Sequence, residues 1–247
     1  MNLGIAGRRA LVCGASRGLG FACAWALAQE RVSVTLVSRT QSSLDEAASR
    51  IEETTGVRPK TAEADVSTER GLEVVCAAEP SPDIVITNAG GPPSKDFREL
   101  TRTDWAVALD ANFLSAVELI RAYVNGMIDR GFGRVVNITS MTVRMPVERL
   151  DLPNAPRLAL TGYVAGISRQ IAKHNVTINN LLPGTIATER ISELGETAQR
   201  LIAKVPAGRA GTPHEFGATC AFLCSNQAAL ITGQNILLDG GLCSFTV

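Results

Sequence analysis

The chain has 247 residues and carries 24 basic and 24 acidic side chains, so its formal net charge is zero at neutral pH. This balance argues against nucleic acid or an anionic membrane surface as the main partner. No apolar run reaches the length of a membrane span, the N-terminus shows no secretory leader, and the six cysteines and two histidines lack metal-ligand spacing, so we predict a cytoplasmic protein with reduced thiols and no metal site.

Short apolar runs alternate with longer amphipathic segments along the chain. The runs predict seven β-strands, at residues 9–14, 32–38, 61–66, 83–90, 134–140, 177–184 and 234–241. Several are apolar on both faces, which is the pattern of a parallel sheet covered by helices. The clearest helices are predicted at 19–30, 42–56 and 103–131. The alternation predicts one α/β domain over residues 1–247, a Rossmann fold with a doubly wound, seven-stranded parallel sheet and helices on both faces.

The first predicted strand is followed by a glycine-rich loop, "CGASRGLG", that opens the first predicted helix. Gly14 permits a tight turn, Gly18 lets the backbone approach a pyrophosphate, and Gly20 lets helix and strand pack closely. N–H groups at the helix N-terminus would then face the phosphates. A turn that merely requires glycine is the alternative. The strand–loop–helix setting favours a dinucleotide site whose loop contacts are Gly14, Ser16, Arg17, Gly18, Leu19 and Gly20.

The end of the second predicted strand, "LVSRT", indicates which dinucleotide is bound. Sites for NAD usually place an acidic residue at this point, whereas this strand ends in Ser38 and Arg39. An arginine can pair with a 2′-phosphate through two parallel hydrogen bonds, and Arg17 could close over the same phosphate. The sequence therefore predicts NADP(H) in preference to NAD(H). A solvated loop position is the alternative for Arg39.

Further motifs follow the glycine loop along the chain: "ADV" (64–66), "TNAG" (87–90), "PGTIAT" (183–188) and "ITGQNILLDGG" (231–241). Together with the loop they give a resemblance to the short-chain dehydrogenase/reductases, of the 3-oxoacyl-ACP-reductase type, over essentially the whole chain. The glycine loop resembles their TGxxxGxG motif with Cys13 in place of threonine, and "TNAG" (87–90) resembles their NNAG motif. "ADV" (64–66) is similar to their adenine-contacting segment, "PGTIAT" (183–188) to their PGxxxT segment and "ITGQNILLDGG" (231–241) to their C-terminal strand signature. The resemblance implies further cofactor contacts at Asp65, Val66, Asn88, Ala89, Gly90, Pro183, Gly184, Ile186 and Thr188.

The chain departs from the family at its catalytic tyrosine and lysine. Counting forward from Ser140 and back from "TINNLLPG" places the tyrosine of the family's YxxxK motif at Pro153 and the lysine at Arg157. Tyr163 is followed four residues later by Ile167, so it does not restore the motif, and we expect it to pack on its helix. The resemblance therefore indicates an atypical branch that lacks the Tyr-Lys pair.

The predicted catalytic residues are Ser140, Asn112 and Arg157. Ser140 would donate a hydrogen bond to a developing oxyanion, and Arg157 would stabilise the same charge or hydrogen-bond the cofactor ribose. Arginine cannot act as a general acid, so water would supply the proton. The resemblance implies that Asn112 supports a water relay. The alternatives are a strand-end or capping hydroxyl for Ser140, a buried helix-kink residue for Asn112 and a helix-surface position for Arg157.

Three functions remain open from the sequence. The first is an NADPH-dependent reductase of a ketone or oxoacyl carbonyl, with Ser140, Arg157 and water in place of Tyr-Lys. The second is a conjugate reductase of an activated C=C bond, because "NAGGPPSKDF" (88–97) and "PGTIATER" (183–190) are similar to segments of family branches without Tyr-Lys. The third is a catalytically silent NADPH-binding sensor or scaffold, against which the retained Ser140 and Asn112 argue weakly.

Three further expectations concern local structure and assembly. A helical lid over a small-molecule substrate is predicted at about 189–211. A helix is predicted to begin between Leu152 and Asn154, with Asn154 as its cap. The resemblance implies a homotetramer or a dimer. More apolar residues than one face of the sheet can bury are present in the predicted helices 103–131 and 154–173, and the apolar tail "LCSFTV" would be buried better against a partner chain.

Overall fold

The computed structural model describes residues 2–91 and 95–244, apart from the side chain of Arg190. The centre of the "NAGGPPSKDF" segment, residues 92–94, and the end of the "LCSFTV" tail, residues 245–247, lie outside the described residues. All strands of the sheet are parallel and lie in the order β3-β2-β1-β4-β5-β6-β7. They span Arg9–Cys13, Ser33–Ser38, Lys60–Glu63, Ile84–Thr87, Gly133–Ile138, Val176–Pro183 and Asn235–Leu238, in the sequence order β1 to β7.

Helices cover both faces of this sheet. The α-helices are α1 (Gly18–Gln29), α2 (Gln41–Thr55), α3 (Glu69–Ala78), α4 (Arg102–Leu109), α5 (Ser115–Asp129), α6 (Asp151–Ile171), α7 (Glu189–Ser192), α8 (Glu196–Ile202) and α9 (Pro213–Leu223). The sheet and its helices confirm the predicted doubly wound α/β fold, and the strands begin and end within three residues of the predicted bounds. None of the helices in the described ranges is long and apolar enough to cross a membrane.

Alternate side chains of β1 face opposite layers of the core, because successive side chains of a strand point to opposite faces. Ala10 and Val12 pack into a cluster with buried residues of α1, α2 and α9. Leu11 and Cys13 pack into a second cluster with residues of α3, α5 and α6. Burial on both faces explains why inner strands such as β1 and β4 are apolar at nearly every position.

The predicted continuous helix 103–131 is interrupted, which corrects that expectation. A π-helical turn, Asp110–Leu114, separates α4 from α5. The Asn112 side chain donates Nδ2–H to the Ala108 carbonyl at 3.3 Å, and the Ser115 hydroxyl donates to the Ala111 carbonyl at 2.7 Å. Such side-chain bonds to the preceding turn compete with the regular backbone pattern, and the inserted residue turns Asn112 to a buried position.

The start of α6 also differs from the prediction. The helix begins at Asp151, one residue early, with Leu150 at its N-cap position. Asn154 does not cap it, because its own N–H already donates to the Leu150 carbonyl at 3.0 Å, and its buried Oδ1 has no hydrogen-bond partner among the described residues. Pro153 lies in the first turn, where a missing N–H costs little. Pro156 lies further inside the helix.

The two ends of the segment predicted as a lid lie next to each other. Ile186 and Gly211 form an isolated parallel bridge, and the chain between them contains α7 and α8. The predicted helical segment therefore consists of two short helices. Leu194, between the two helices, is exposed, whereas Ala198 and Val205 are buried against the domain.

Candidate active site

The predicted cofactor residues follow the carboxyl ends of the strands, which share one edge of the parallel sheet. β1 and β4 are neighbours although their sequence positions are far apart, so the strand order reverses between them. Ligands of open α/β sheets bind in the crevice outside such a switch point. Gly14 follows β1 and Asn88 follows β4, and the Asn88 amide donates to the Gly14 carbonyl at 3.4 Å.

The glycine loop has the geometry that a pyrophosphate requires. Gly14 has φ +59°, in the left-handed region that favours glycine. Gly20 packs so closely that a β-carbon there would overlap the Gly14 carbonyl. Arg17 is the N-cap residue of α1, no described side chain caps this N-terminus, and the first turn contains no acidic residue. The N-terminal N–H groups and the helix dipole thus favour an anion at this position, and the loop fits a dinucleotide.

We expect Gly20→Ala to abolish tight dinucleotide binding, because the added methyl group must push the loop away from α1. Overpacking of this kind destabilises a protein by about 1–3 kcal/mol. Titration of NADPH and urea unfolding would measure the two effects. Gly162→Ala on α6 is the matched control, since a β-carbon there meets no atom within 4 Å. Wild-type NADPH affinity in Gly20→Ala would contradict the role assigned to this close approach.

The two arginines predicted to hold a 2′-phosphate each lie near a carboxylate. Arg17 Nη1 lies 3.7 Å from Glu189 Oε2 at the start of α7. Arg39 lies near Asp65, whose carboxylate accepts from the Ser67 hydroxyl at 2.6 Å. The Ser67 hydrogen bond, with a smaller contribution from the Arg39 charge, holds the pKa of Asp65 below its usual value. Both arginines thus lie among charged groups at the edge where the cofactor would bind.

The segment after β6 closes this edge from the other side. Gly184 donates its N–H to the Leu238 carbonyl at 3.0 Å and packs so closely on β7 that a β-carbon would lie 2.6 Å from Asp239 Cα. Ile186 is buried, and Thr188 Cγ2 lies 4.0 Å from the position of a β-carbon on Gly18. The structure therefore brings the predicted PGTIAT segment against the glycine loop.

A small cavity of about 20 Å³ gathers two of the three predicted catalytic residues. Asn112 reaches it from the π-helical turn and Arg157 from the second turn of α6. Asn88 and Ala89 line the cavity from the loop after β4, and the remaining lining residues are Thr87, Ala111, Ser115, Ala116, Ile138 and Leu160. Arg157 is the cationic member of this lining, and none of the other lining residues is acidic or basic.

Ser140 lies two residues beyond Ile138 but does not itself line this cavity. Its Oγ accepts a hydrogen bond from the Thr142 N–H at 3.2 Å and so caps the short 3₁₀ turn Met141–Val143. Ser140 is half-buried. A hydroxyl that accepts one hydrogen bond can still donate its own proton, so the capping contact is compatible with the predicted role toward an oxyanion.

Both tyrosines of the chain belong to the core rather than to the cavity lining. Tyr163 packs edge-to-face on Phe113, with ring centroids 6.2 Å apart. Burial, with a contribution from the Glu118 charge, raises its pKa above the usual value. Tyr123 on α5 is buried in the same cluster, and its pKa is also raised, mainly by burial. The Tyr163 packing agrees with the expectation from the sequence.

A row of hydrogen-bonded side chains beneath the site has no counterpart in the sequence predictions. Thr87 donates to Asn137 Oδ1 at 2.7 Å, Asn137 to Asn180 Oδ1 at 3.0 Å, and Asn180 to Asn235 Oδ1 at 2.8 Å. These four residues are direct neighbours on β4, β5, β6 and β7. The sequence contains a possible signal for this row, because asparagines occur in the apolar runs that form β5, β6 and β7.

A larger cavity, of about 530 Å³, lies apart from this site. It is lined by the first turns of α9, the end of β7 and the ion-paired side chains of Arg209 and Glu215. None of the predicted catalytic or cofactor residues lines it. The described residues also contain no group of three or more His, Cys, Asp or Glu side chains that could hold a metal ion.

A doubly wound sheet with a glycine loop at its switch point, and a polar cavity beside that loop, is typical of dinucleotide-binding enzymes. The family model described as enoyl-(acyl carrier protein) reductase matches residues 14–243. The chain belongs to the short-chain dehydrogenase/reductase family.

Individual relatives align over nearly their whole length. Gluconate 5-dehydrogenase of Gluconobacter oxydans is 33% identical over 245 residues, which cover 96% of this chain and 95% of that protein. The 3-oxoacyl-[acyl-carrier-protein] reductase FabG of Vibrio cholerae is 31% identical over 247 residues, covering 98% and 99%. The crystal structure of L-sorbose reductase from Gluconobacter frateurii, complexed with NADPH and L-sorbose, superposes with a TM-score of 0.92 at 29% identity, covering 99% and 100%.

Proposed function

We propose that this enzyme is an NADPH-dependent reductase of a ketone or oxoacyl-type carbonyl. The observation that carries the proposal is the shared cavity, in which Asn112 and Arg157 meet Asn88 and Ala89 of the cofactor edge. The names of the relatives support the substrate class, since they include an oxoacyl reductase and a sugar-ketone reductase. The residues proposed to hold the cofactor are those of the glycine loop, Ser38, Arg39, Asp65, Val66, residues Asn88–Gly90 and the PGTIAT segment.

The preference for NADPH over NADH rests on Arg17 and Arg39. Both are exposed cations at the edge beside the glycine loop, and the strand that ends at Ser38 offers no carboxylate for a ribose 2′-hydroxyl. The L-sorbose reductase structure contains NADPH, which supports the same choice. When bound, the cofactor would supply a hydride from C4 of its nicotinamide ring.

The proposed mechanism operates without a Tyr-Lys pair. Pro153 and Arg157 occupy the places where the spacing from Ser140 puts that pair. Ser140 donates a hydrogen bond to the substrate oxygen, Arg157 stabilises the negative charge that develops on it, and water gives the oxygen its proton. General acid catalysis is worth about 10²–10⁴-fold in rate, or roughly 3–5 kcal/mol of barrier. We therefore expect slow reduction of simple ketones.

A second candidate, conjugate reduction of an activated C=C bond, is favoured by the positions of the tyrosines. Neither Tyr123 nor Tyr163 lines the small cavity that contains Asn112 and Arg157. Arg157 is the only charged residue among the described residues that line that cavity. In conjugate reduction the hydride goes to the β-carbon and the charge resides on an enolate. Solvent can protonate an enolate, so a positioned acid is less necessary.

A silent binding protein is less consistent with a cavity that contains both Asn112 and Arg157.

One experiment separates these functions. The enzyme is incubated with NADPH deuterated at C4 and with matched pairs of saturated ketones and their α,β-unsaturated counterparts. Deuterium on the carbinol carbon of the product establishes carbonyl reduction, and deuterium on the β-carbon establishes conjugate reduction. Binding of NADPH without oxidation by any member of the panel would overturn the proposed activity in favour of the silent binding protein.

We further propose that the enzyme self-associates as a homotetramer or a dimer. Leu114 beside the start of α5, Leu158 on α6 and Leu237 on β7 are large apolar side chains exposed on the single chain. Light scattering at micromolar concentration is expected to give a multiple of the 26.1 kDa chain mass. A monomeric mass under these conditions would contradict the proposal.

A further inference from the structure

The segment from Ala187 to Ala210, called the lid segment below, is fixed at its base and along its second half. The Ala187 N–H donates to the Gly211 carbonyl at 2.8 Å, and the Gly211 N–H donates to the Thr185 carbonyl at 2.9 Å. The Ala207 N–H donates to the Gly240 carbonyl at 3.0 Å, and Val205 is buried. These contacts hold the second half of the segment against the end of β7.

The first half of the lid segment lies beside the glycine loop. Thr188 is near Gly18, and Glu189 forms an ion pair with Arg17 at 3.7 Å. The two side chains are 73% and 65% exposed, and their separation exceeds the usual hydrogen-bond range. An exposed pair of this kind is weak, so a stronger anion can readily replace the Glu189 carboxylate as the partner of Arg17.

Arg17 is also one of the two arginines proposed to hold the 2′-phosphate of the cofactor. It occupies the N-cap position of α1 with an extended backbone, φ −159°, directly before the helix N-terminus that would face the phosphates. A 2′-phosphate carries up to two negative charges and binds a guanidinium through parallel, charge-assisted hydrogen bonds. The same guanidinium therefore has two candidate anionic partners, one on the lid segment and one on the cofactor.

We propose that Glu189 is a specificity-determining residue that competes with the 2′-phosphate of the dinucleotide for Arg17. It holds the cation toward the lid segment and thereby weakens NADPH binding, while NADH, which lacks the 2′-phosphate, does not compete for this contact. This inference rests on the proposed use of NADPH. By linkage, a cofactor that recruits Arg17 also breaks the contact between Arg17 and Glu189 that joins the glycine loop to the lid segment.

The test compares dissociation constants in the full-length protein, with fluorescence titration of NADPH and NADH. Adenosine 2′,5′-bisphosphate and AMP compete for the adenosine half of the cofactor site. They differ in the 2′-phosphate and both lack nicotinamide, so the difference between their dissociation constants measures the contribution of the 2′-phosphate alone. Glu189→Gln should tighten NADPH and the bisphosphate about two- to fivefold, the size of an exposed ion pair, with little change for NADH and AMP. Glu193→Gln, which removes an equal charge from an exposed lid position, should leave the NADPH-to-NADH ratio unchanged.

The Arg17→Met background supplies the decisive comparison. If the competition acts through Arg17, Glu189→Gln has no further effect on NADPH affinity once Arg17 is absent. The proposal is overturned if Glu189→Gln tightens NADPH and NADH equally, if Glu193→Gln has the same effect, or if the effect persists without Arg17. Tighter binding of NADH than of NADPH by the wild-type protein is a different result, because it contradicts the proposed cofactor before any variant is made.

Discussion

Replacing Ser140 with alanine is expected to lower turnover on a genuine substrate by about 10²-fold, the typical cost of losing one donor to a developing oxyanion. Dissociation constants for NADPH should stay near the wild-type values, because Ser140 is proposed to contact the substrate oxygen rather than the cofactor. Steady-state kinetics would show the loss in kcat, measured beside an NADPH titration. The effect should be similar for carbonyl and conjugate reduction, since both develop negative charge on an oxygen.

The Ser140 hydroxyl also caps the 3₁₀ turn Met141–Val143, so a structural role must be separated from a chemical one. Ser140→Thr keeps both a capping oxygen and a hydroxyl proton, and it should retain most of the turnover. Thermal unfolding of Ser140→Ala should shift only slightly, because the cap holds a single short turn. Unchanged turnover in Ser140→Ala would assign this residue to the cap alone and refute the proposed mechanism.

Arg39→Asp is expected to reverse the preference from NADPH to NADH. The substitution removes charge-assisted hydrogen bonds worth about 1.5–3 kcal/mol, which corresponds to roughly 10- to 150-fold in NADPH affinity. It also places a carboxylate at the end of β2, where it can accept from the 2′-hydroxyl of NADH and repel a 2′-phosphate. Isothermal titration calorimetry with both cofactors would give the ratio directly.

Arg58→Asp is the matched control for this reversal. Arg58 precedes β3 and pairs with Glu52 at 2.8 Å, so it lies at the amino edge of the sheet, away from the carboxyl ends that carry the site. The same charge change there should leave the cofactor ratio unaltered. If Arg39→Asp and Arg58→Asp shift the ratio equally, the preference follows from net charge and Arg39 has no specific contact with the phosphate.

The inner strands could be predicted because burial on both faces gives them short, nearly continuous apolar runs. β5, for example, was predicted at 134–140 and spans Gly133–Ile138. The π-helical turn could not be predicted in this way. Helical periodicity extends through residues 103–131, and the interruption depends on side-chain bonds from Asn112 and Ser115 to specific carbonyls, which polar residues in a helix form in some settings and not in others.

The residues of the candidate site were proposed from the spacing of motifs rather than from burial. Spacing from Ser140 drew attention to Arg157, and the structure places Arg157 in one cavity with Asn112 although the two belong to different helices. No sequence pattern predicts the contact of Arg17 with Glu189, because it joins residues far apart in the chain. The cap predicted at Asn154 was wrong, because the helix begins at Asp151 and Asn154 lies within its first turn.

The row from Thr87 to Asn235 has a consequence for how the chain chooses its strand alignment. β4, β5 and β6 are buried at almost every position, so apolar burial alone barely distinguishes the native alignment from one slipped along the strand. A slip by one residue would turn each amide to the opposite face, and a slip by two would separate it from its partner. Either leaves buried amides unpaired, at about 1–3 kcal/mol for each group. The asparagines thus specify the register of β4 to β7. Because Asn88, Ser140 and Gly184 follow the ends of β4, β5 and β6, the same register determines how these residues are placed relative to one another.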